Sequence, residues 1–341
     1  MSKTLKHLLL WLLMVLPVQS MACDMCGCYM GITPYDNQSS IQVLHRYRAF
    51  NGYYGMNHEH AWFPEVKSAL IPAISTPAKP IAVNQVRHGG QQHDDVEGTA
   101  FSNTDYEVYQ VSELRGKYFL SQRLEINAFI PVNNFHFYEN GVGTHVTGLG
   151  DVTCYAAYHA IRKIEVEGVQ HRLIGGMGAK LPTGNFEKTS NGERLPLSMQ
   201  NGTGSLDFFF MANYILGWKK FGMSMTSSLK LNTYNSYNER AGNSTTQYLN
   251  VFYKIKKGNW FIIPTVQNYY EFSAQGIGPD LMSMNVLYTG AGLDVFYKNI
   301  GFTTCLQAKT WEQQSEGKIA GTSRLAIGLT FNFNQTKYLL K

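Results

Sequence analysis

From residue 41 onward, apolar and polar residues alternate with a period of two in segments of about ten residues, as in a strand whose two faces meet different media. In 322–333, Leu325, Ile327, Leu329, Phe331 and Phe333 fall on one face and Arg324, Ala326, Gly328, Thr330 and Asn332 on the other. In 223–232, Met223, Met225, Leu229 and Leu231 oppose Ser224, Thr226, Ser228, Lys230 and Asn232. Leu124, Ile126, Ala128, Ile130 and Val132 alternate with Arg123, Glu125 and Asn127. Leu249, Val251, Tyr253 and Ile255 alternate in the same way with Tyr248, Asn250, Phe252 and Lys254. The reading gives twelve strands, at 41–50, 105–115, 118–133, 150–163, 170–181, 205–217, 221–233, 246–256, 259–271, 286–297, 300–312 and 322–333.

A soluble sandwich also alternates, so the connections decide between the two. The joints at Arg115-Gly116-Lys117, 165–169, 218–221, Lys257-Gly258 and Lys298-Asn299 are tight. Those at 51–104, 134–149, 182–204, 234–245, 272–285 and 313–321 are long and rich in Gly, Asn, Ser and Thr. Strict alternation of short and long, with an even strand number, is what a closed sheet in an outer membrane requires. The expected fold is therefore all-β: a transmembrane antiparallel up-and-down β-barrel of about 12 strands, with long external loops and short periplasmic turns. Tyr214, Trp218, Tyr234, Tyr237, Trp260, Phe261, Tyr269, Tyr270, Tyr297 and Trp311 lie near strand ends, where an aromatic belt would sit.

Composition agrees. Charged residues are 16% of the 341, against about 25% in an average soluble protein, while Tyr and Phe number 40 and Gly 32. The net charge of +5 is spread without a Lys/Arg run, which argues against a nucleic-acid partner. Lys3 and Lys6 precede the apolar run 8–16, and Ser20-Met21-Ala22 offers small residues at the positions a leader peptidase reads, so 1–22 reads as a signal peptide. Its removal leaves 27 basic and 24 acidic residues, a charge of +3, with Cys23 first. Lipidation of Cys23 fits less well than simple cleavage, because Ser20 stands where lipoprotein signals carry an aliphatic residue. No later stretch approaches the roughly 18 apolar residues of a spanning helix. The organisation read from this is a leader at 1–22, a Cys-rich periplasmic segment at 23–40, the barrel at 41–333 with 51–104 as a long loop or plug, and a tail at 334–341.

Three segments carry a family resemblance: Gly148-Leu149-Gly150-Asp151, Lys180-Leu181-Pro182-Thr183-Gly184, and the run from Gln200 to Asp207. Over about 105–333 the chain resembles the outer-membrane barrels of the MetA-pathway phenol-degradation family, distant relatives of the long-chain fatty acid transporters. The resemblance implies a channel or transporter for small, often hydrophobic solutes, and names no substrate. The insert 51–104 and the tail after Phe333 depart from the family pattern.

Site candidates follow from the alternation. Arg123, Glu125, Lys230, Asp294 and Arg324 are expected to face the lumen, either lining a polar path or holding strand register. Lys180 and Asp207 stand at the loop-side rim, as a constriction or, more simply, as an ion pair. Cys23, Cys26 and Cys28 have the spacing and softness for Cu or Zn, against which export sets a disulfide between two of them or lipidation of one. His58, His60, His88 and His93 are potential metal ligands in an irregular Pro- and Gly-bearing insert, with no recognised spacing. Cys154 and Cys305 read as small hydrophobes within strands. Motifs for nucleophile elbows, zinc hydrolases and phosphate loops are missing, and nothing links His159 to a serine. The expectation is a non-enzymatic outer-membrane transport barrel without a firm cofactor. Its partners are membrane lipid, a small solute and the barrel assembly machinery. Envelope metal delivery through the Cys segment, and an outer-membrane enzyme or blocked structural barrel, are the alternatives.

Overall fold

A computed structural model describes residues 38–53, 105–139, 141–163, 168–190, 192–279, 281, 283–314 and 319–333. Its strands, in chain order, are β1 (Ser39–Tyr53), β2 (Tyr106–Phe119), β3 (Leu124–Glu139), β4 (Val142–Leu149), β5 (Thr153–Lys163), β6 (Val169–Lys180), β7 (Thr189–Ser190), β8 (Glu193–Arg194), β9 (Asp207–Trp218), β10 (Phe221–Leu231), β11 (Ser244–Tyr253), β12 (Ile255–Lys257), β13 (Trp260–Ser273), β14 (Met284–Tyr297), β15 (Ile300–Gln314) and β16 (Ile319–Phe333). All pairings in the main sheet are antiparallel. The sheet closes on itself, because β1 pairs with both β2 and β16 and β11 pairs with both β10 and β13. Counting β4 with β5 and β11 with β12 as single interrupted staves gives a closed barrel of 12 strands. Closure leaves no edge of unpaired amides and carbonyls, which hydrocarbon would penalise by several kcal/mol per group.

The barrel is inside-out relative to a soluble protein. Val43, Met177, Val266 and Leu329 are each 55–62% exposed on the outer face, while Lys230, Gln267 and Asp294 are at most 2% exposed inside. The expected faces of 223–232 hold, with Met225 and Leu231 exposed and Ser224, Thr226, Ser228, Lys230 and Asn232 buried. In β16, Ile327, Leu329 and Phe331 point out while Ala326 and Asn332 are buried. The aromatic belt is present in Trp218, Tyr234, Trp260, Tyr297 and Trp311, all exposed, whereas Tyr237 packs among the loops against Phe186 and Arg194. Tyr269 corrects that expectation, being buried at 3% on the inner face beside Tyr288. Phe261 also departs from it, packing with the buried Phe252, Ile263 and Phe296.

The first hairpin corrects the sequence reading. The chain reverses at 120–123, where Leu120 N–H donates to Leu124 O, and Arg115-Gly116-Lys117 lies within β2. The segment 134–149, expected as a loop, completes β3 and forms β4, with Gly141 at φ 80° in the turn between them. The reason is visible in its own alternation: Phe135, Phe137 and Val146 form one buried face. β4 pairs with β3 alone, so this hairpin rises past the ring on the loop side. Ser39 pairs with Phe333, which puts both ends of the barrel chain on the short-turn side.

Candidate functional site

The three motif segments meet at the loop-side rim. Asp151, following β4, accepts from Gly184 N–H at 2.9 Å through one carboxylate oxygen and from Thr203 N–H at 2.9 Å through the other. Lys180, the last residue of β6, pairs with Asp151 and lies 2.9 Å from Asp207, the first residue of β9. Lys230 of β10 is 3.8 Å from the same carboxylate. Asp207 also accepts from Ser205 Oγ–H at 2.8 Å and Thr233 N–H at 2.9 Å. All four charged side chains are at most 2% exposed. Two carboxylates and two ammonium groups therefore balance in a dry site, the condition under which buried charges are tolerated.

The glycines of these segments serve the same construction. Gly148 has φ 152° where the chain re-enters the wall. A Cβ on Gly202 would stand 2.5 Å from Asp151 Oδ1 and 2.6 Å from Gly184 O, so the two loop strands approach more closely than any side chain permits. This anchors the segment 181–206, whose Leu195 and Met199 pack against Phe135, Phe137 and Val146 on the lumen face of the raised hairpin. Arg194 then reaches the next loop in a two-pronged bond to Glu239, at 2.8 and 2.9 Å.

Below the rim, the loop-side half of the lumen holds cations against aromatic rings. Arg324 lies 3.7 Å above the centroid of Tyr269 and 5.4 Å from that of Tyr288. Its register partner Arg48 donates to Glu271 at 3.2 Å and covers Phe50 at 4.7 Å. Glu113 is shared by Arg46 and Arg115. Nearer the turns, Asp294 accepts from Thr303, and Glu125 lies 3.3 Å from His159 Nε2. The turn end is lined by the apolar group Phe252, Ile263 and Phe296, with Ile215 and Phe261 against it. A second aromatic group, Tyr155, Phe209 and Met211 with Phe129, occupies the wall of β3, β5 and β9.

Of the residues singled out from sequence, Glu125, Lys180, Asp207, Lys230 and Asp294 are buried inside. Arg324 is half-buried over the inner tyrosines. Arg123 does not join them: it is exposed in the 120–123 turn, because the reversal falls later than the Gly116 signal suggested. Cys154 is exposed on the wall and Cys305 is buried. His159 is 1% exposed on the lumen side, so it cannot serve a lipid-facing active site. Cys23, Cys26, Cys28, His58, His60, His88 and His93 lie outside the described residues. Sequence reasoning missed Asp151, Arg48, Glu271 and Tyr288. The first was visible as part of a motif, whereas the others needed the register of β1 on β16 and of β13 on β14.

The chain superimposes on the crystal structure of an outer membrane channel from Pseudomonas putida F1 with a TM-score of 0.61, at 13% identity, over 94% of this chain and 100% of that one. The fold is that of an outer-membrane β-barrel. The beta domain of the Bordetella autotransporter Brka matches more loosely, with a TM-score of 0.45 at 10% identity, over 87% of this chain and 100% of that one. No protein-family profile and no curated protein matches the chain.

Proposed function

We propose that the protein is a non-enzymatic outer-membrane channel that passes small solutes through a narrow lumen of mixed polar and aromatic character. The observation that carries this is the interior itself. Polar and ionic pairs run along the lumen from Glu125 and His159 to Lys180 and Asp207, interleaved with the faces of Tyr269, Tyr288, Tyr155 and Phe209. A barrel built only as an anchor could fill this space with apolar side chains, whereas charges and rings together suit a path for an amphipathic or aromatic solute. This is also the class that the resemblance to the phenol-degradation barrels implies, and the Pseudomonas putida barrel of the same fold is an outer membrane channel. Localisation in the outer membrane, after removal of 1–22, follows from the same reading.

Single-channel recording in a planar bilayer tests it, beside a variant lacking 54–104. Current steps in the full protein support an open path, and steps in the deletion variant alone make the insert a plug. Silence in both, with heat-modifiable mobility showing a folded barrel, rejects the channel.

A further inference from the structure

At the short-turn end, three successive hairpin connections carry lysine and no carboxylate: Lys219-Lys220, the stretch 254–259 with Lys254, Lys256 and Lys257, and Lys298-Asn299. They are neighbours around the barrel, since Phe221 pairs with Tyr253 and Trp260 with Tyr297. Just inside them, the outer face presents Trp218, Phe221, Ile255, Trp260, Tyr297 and Ile300, all exposed. The ammonium of Lys219 lies 5.1 Å from the Trp218 ring centroid and that of Lys298 lies 5.5 Å from Tyr297. Lys257 is the register partner of Trp260. The ammonium groups of Lys219 and Lys298 thus stand at the border of an apolar band, each beside an aromatic ring, and Lys257 leaves the strand opposite Trp260 at the same level. That is the depth at which lipid phosphates lie.

A second observation concerns the backbone. Lys219 has φ 52° and Lys298 φ 50°, the left-handed region that an L side chain enters at about 1–2 kcal/mol. The first position of such two-residue turns normally carries Asn or Gly. Lysine brings nothing to the turn geometry, so its use there points to its side chain.

We propose that this lysine arc binds the phosphate groups of anionic phospholipids in the leaflet at the short-turn end, in preference to zwitterionic lipid. The inference rests on the outer-membrane reading above, and it assigns a lipid class to one rim of the barrel. Opposite charge supplies the attraction, and the aromatic belt fixes the height.

The test compares the protein with a Lys219→Asn/Lys257→Gln/Lys298→Asn variant in phosphatidylcholine nanodiscs doped with phosphatidylglycerol, counting retained lipids by native mass spectrometry. Asn is at ease at both left-handed positions, so the variant should fold at least as well. The expected result is selective retention of phosphatidylglycerol by the protein and its loss in the variant. Three lysines at about fivefold each make the affinity change on the order of a hundredfold. Equal retention of the two lipids by the protein, or unchanged preference in the variant, overturns the inference while leaving the barrel reading intact. Displacement of lipid by free inorganic phosphate, or by a co-purifying acidic protein, also overturns it, in favour of that occupant. Failure of both proteins to insert, seen as loss of the heat-modifiable band, overturns the barrel reading itself.

Discussion

Lys180 is the hinge of the rim network, because its ammonium stands between the carboxylates of Asp151 and Asp207. Without it the two acids face each other in a site that water does not reach, and Lys230, at 3.8 Å from Asp207, compensates only one of them. Removing one partner from a buried charge network costs about 3–5 kcal/mol, well above the worth of an exposed ion pair. Lys180→Met should therefore lower the barrel's stability to denaturant by roughly that amount and loosen the segment 181–206. Equilibrium unfolding in urea from vesicles measures the first, and protease cleavage within 181–206 the second. A variant as stable as the parent would mean that Asp151 is held sufficiently by the amides of Gly184 and Thr203.

At the scale of elements, the loops are tied to one another by a contact outside the membrane wall, and this contact should respond to pH. The hydrogen bonds from Arg194 hold the Glu239 carboxyl below the usual glutamate range, against a smaller opposing effect of burial. A depressed carboxyl stabilises the folded state above its unfolded pKa of about 4.3 and loses that contribution as pH falls through the folded value. Proteolysis of the segment 232–243 should accordingly accelerate in acid, and Glu239→Gln should be cleaved at a rate that changes little over the same range. Equal acid acceleration in both proteins would assign the effect to another group.

The strands themselves were legible wherever an apolar exterior imposed a period of two, as in β10 and β16. Reading failed where a hairpin rises above the apolar band or where a ring faces inward. The outer face of the raised β3–β4 hairpin no longer needs to be apolar, so Gly141, Gly143 and Gly148 looked like a loop. Tyr269 sits one residue from Tyr270, and composition alone could not tell which faces the lumen. The rim site was legible in part, since Lys180 and Asp207 end and begin strands. Its third member, Asp151, became necessary only once 181–206 was seen to fold back over it.

For the whole molecule, two side-chain clusters line the lumen at different depths. The Arg48, Arg324, Tyr269 and Tyr288 cluster occupies the loop-side half, and the Phe252, Ile263 and Phe296 group lies near the turns. In the proposed channel a solute would pass both, so resistances at the two levels would add in series, and relief of either alone would leave the other limiting. Arg324→Ala removes a guanidinium stacked at 3.7 Å from a ring without breaking the Arg48 to Glu271 ion pair. Phe296→Ala opens the second level, at a stability cost of about 3–5 kcal/mol for a buried aromatic side chain. Each single variant should raise single-channel conductance modestly, and the double variant by more than the two increments together. Only the Arg324 change should alter the ratio of anion to cation permeability, because it alone removes a charge from the path. Reversal potentials across a salt gradient separate these effects. A full increase from Arg324→Ala alone would show that the apolar group packs against the wall without narrowing the channel, and would place conductance and charge selectivity at a single depth.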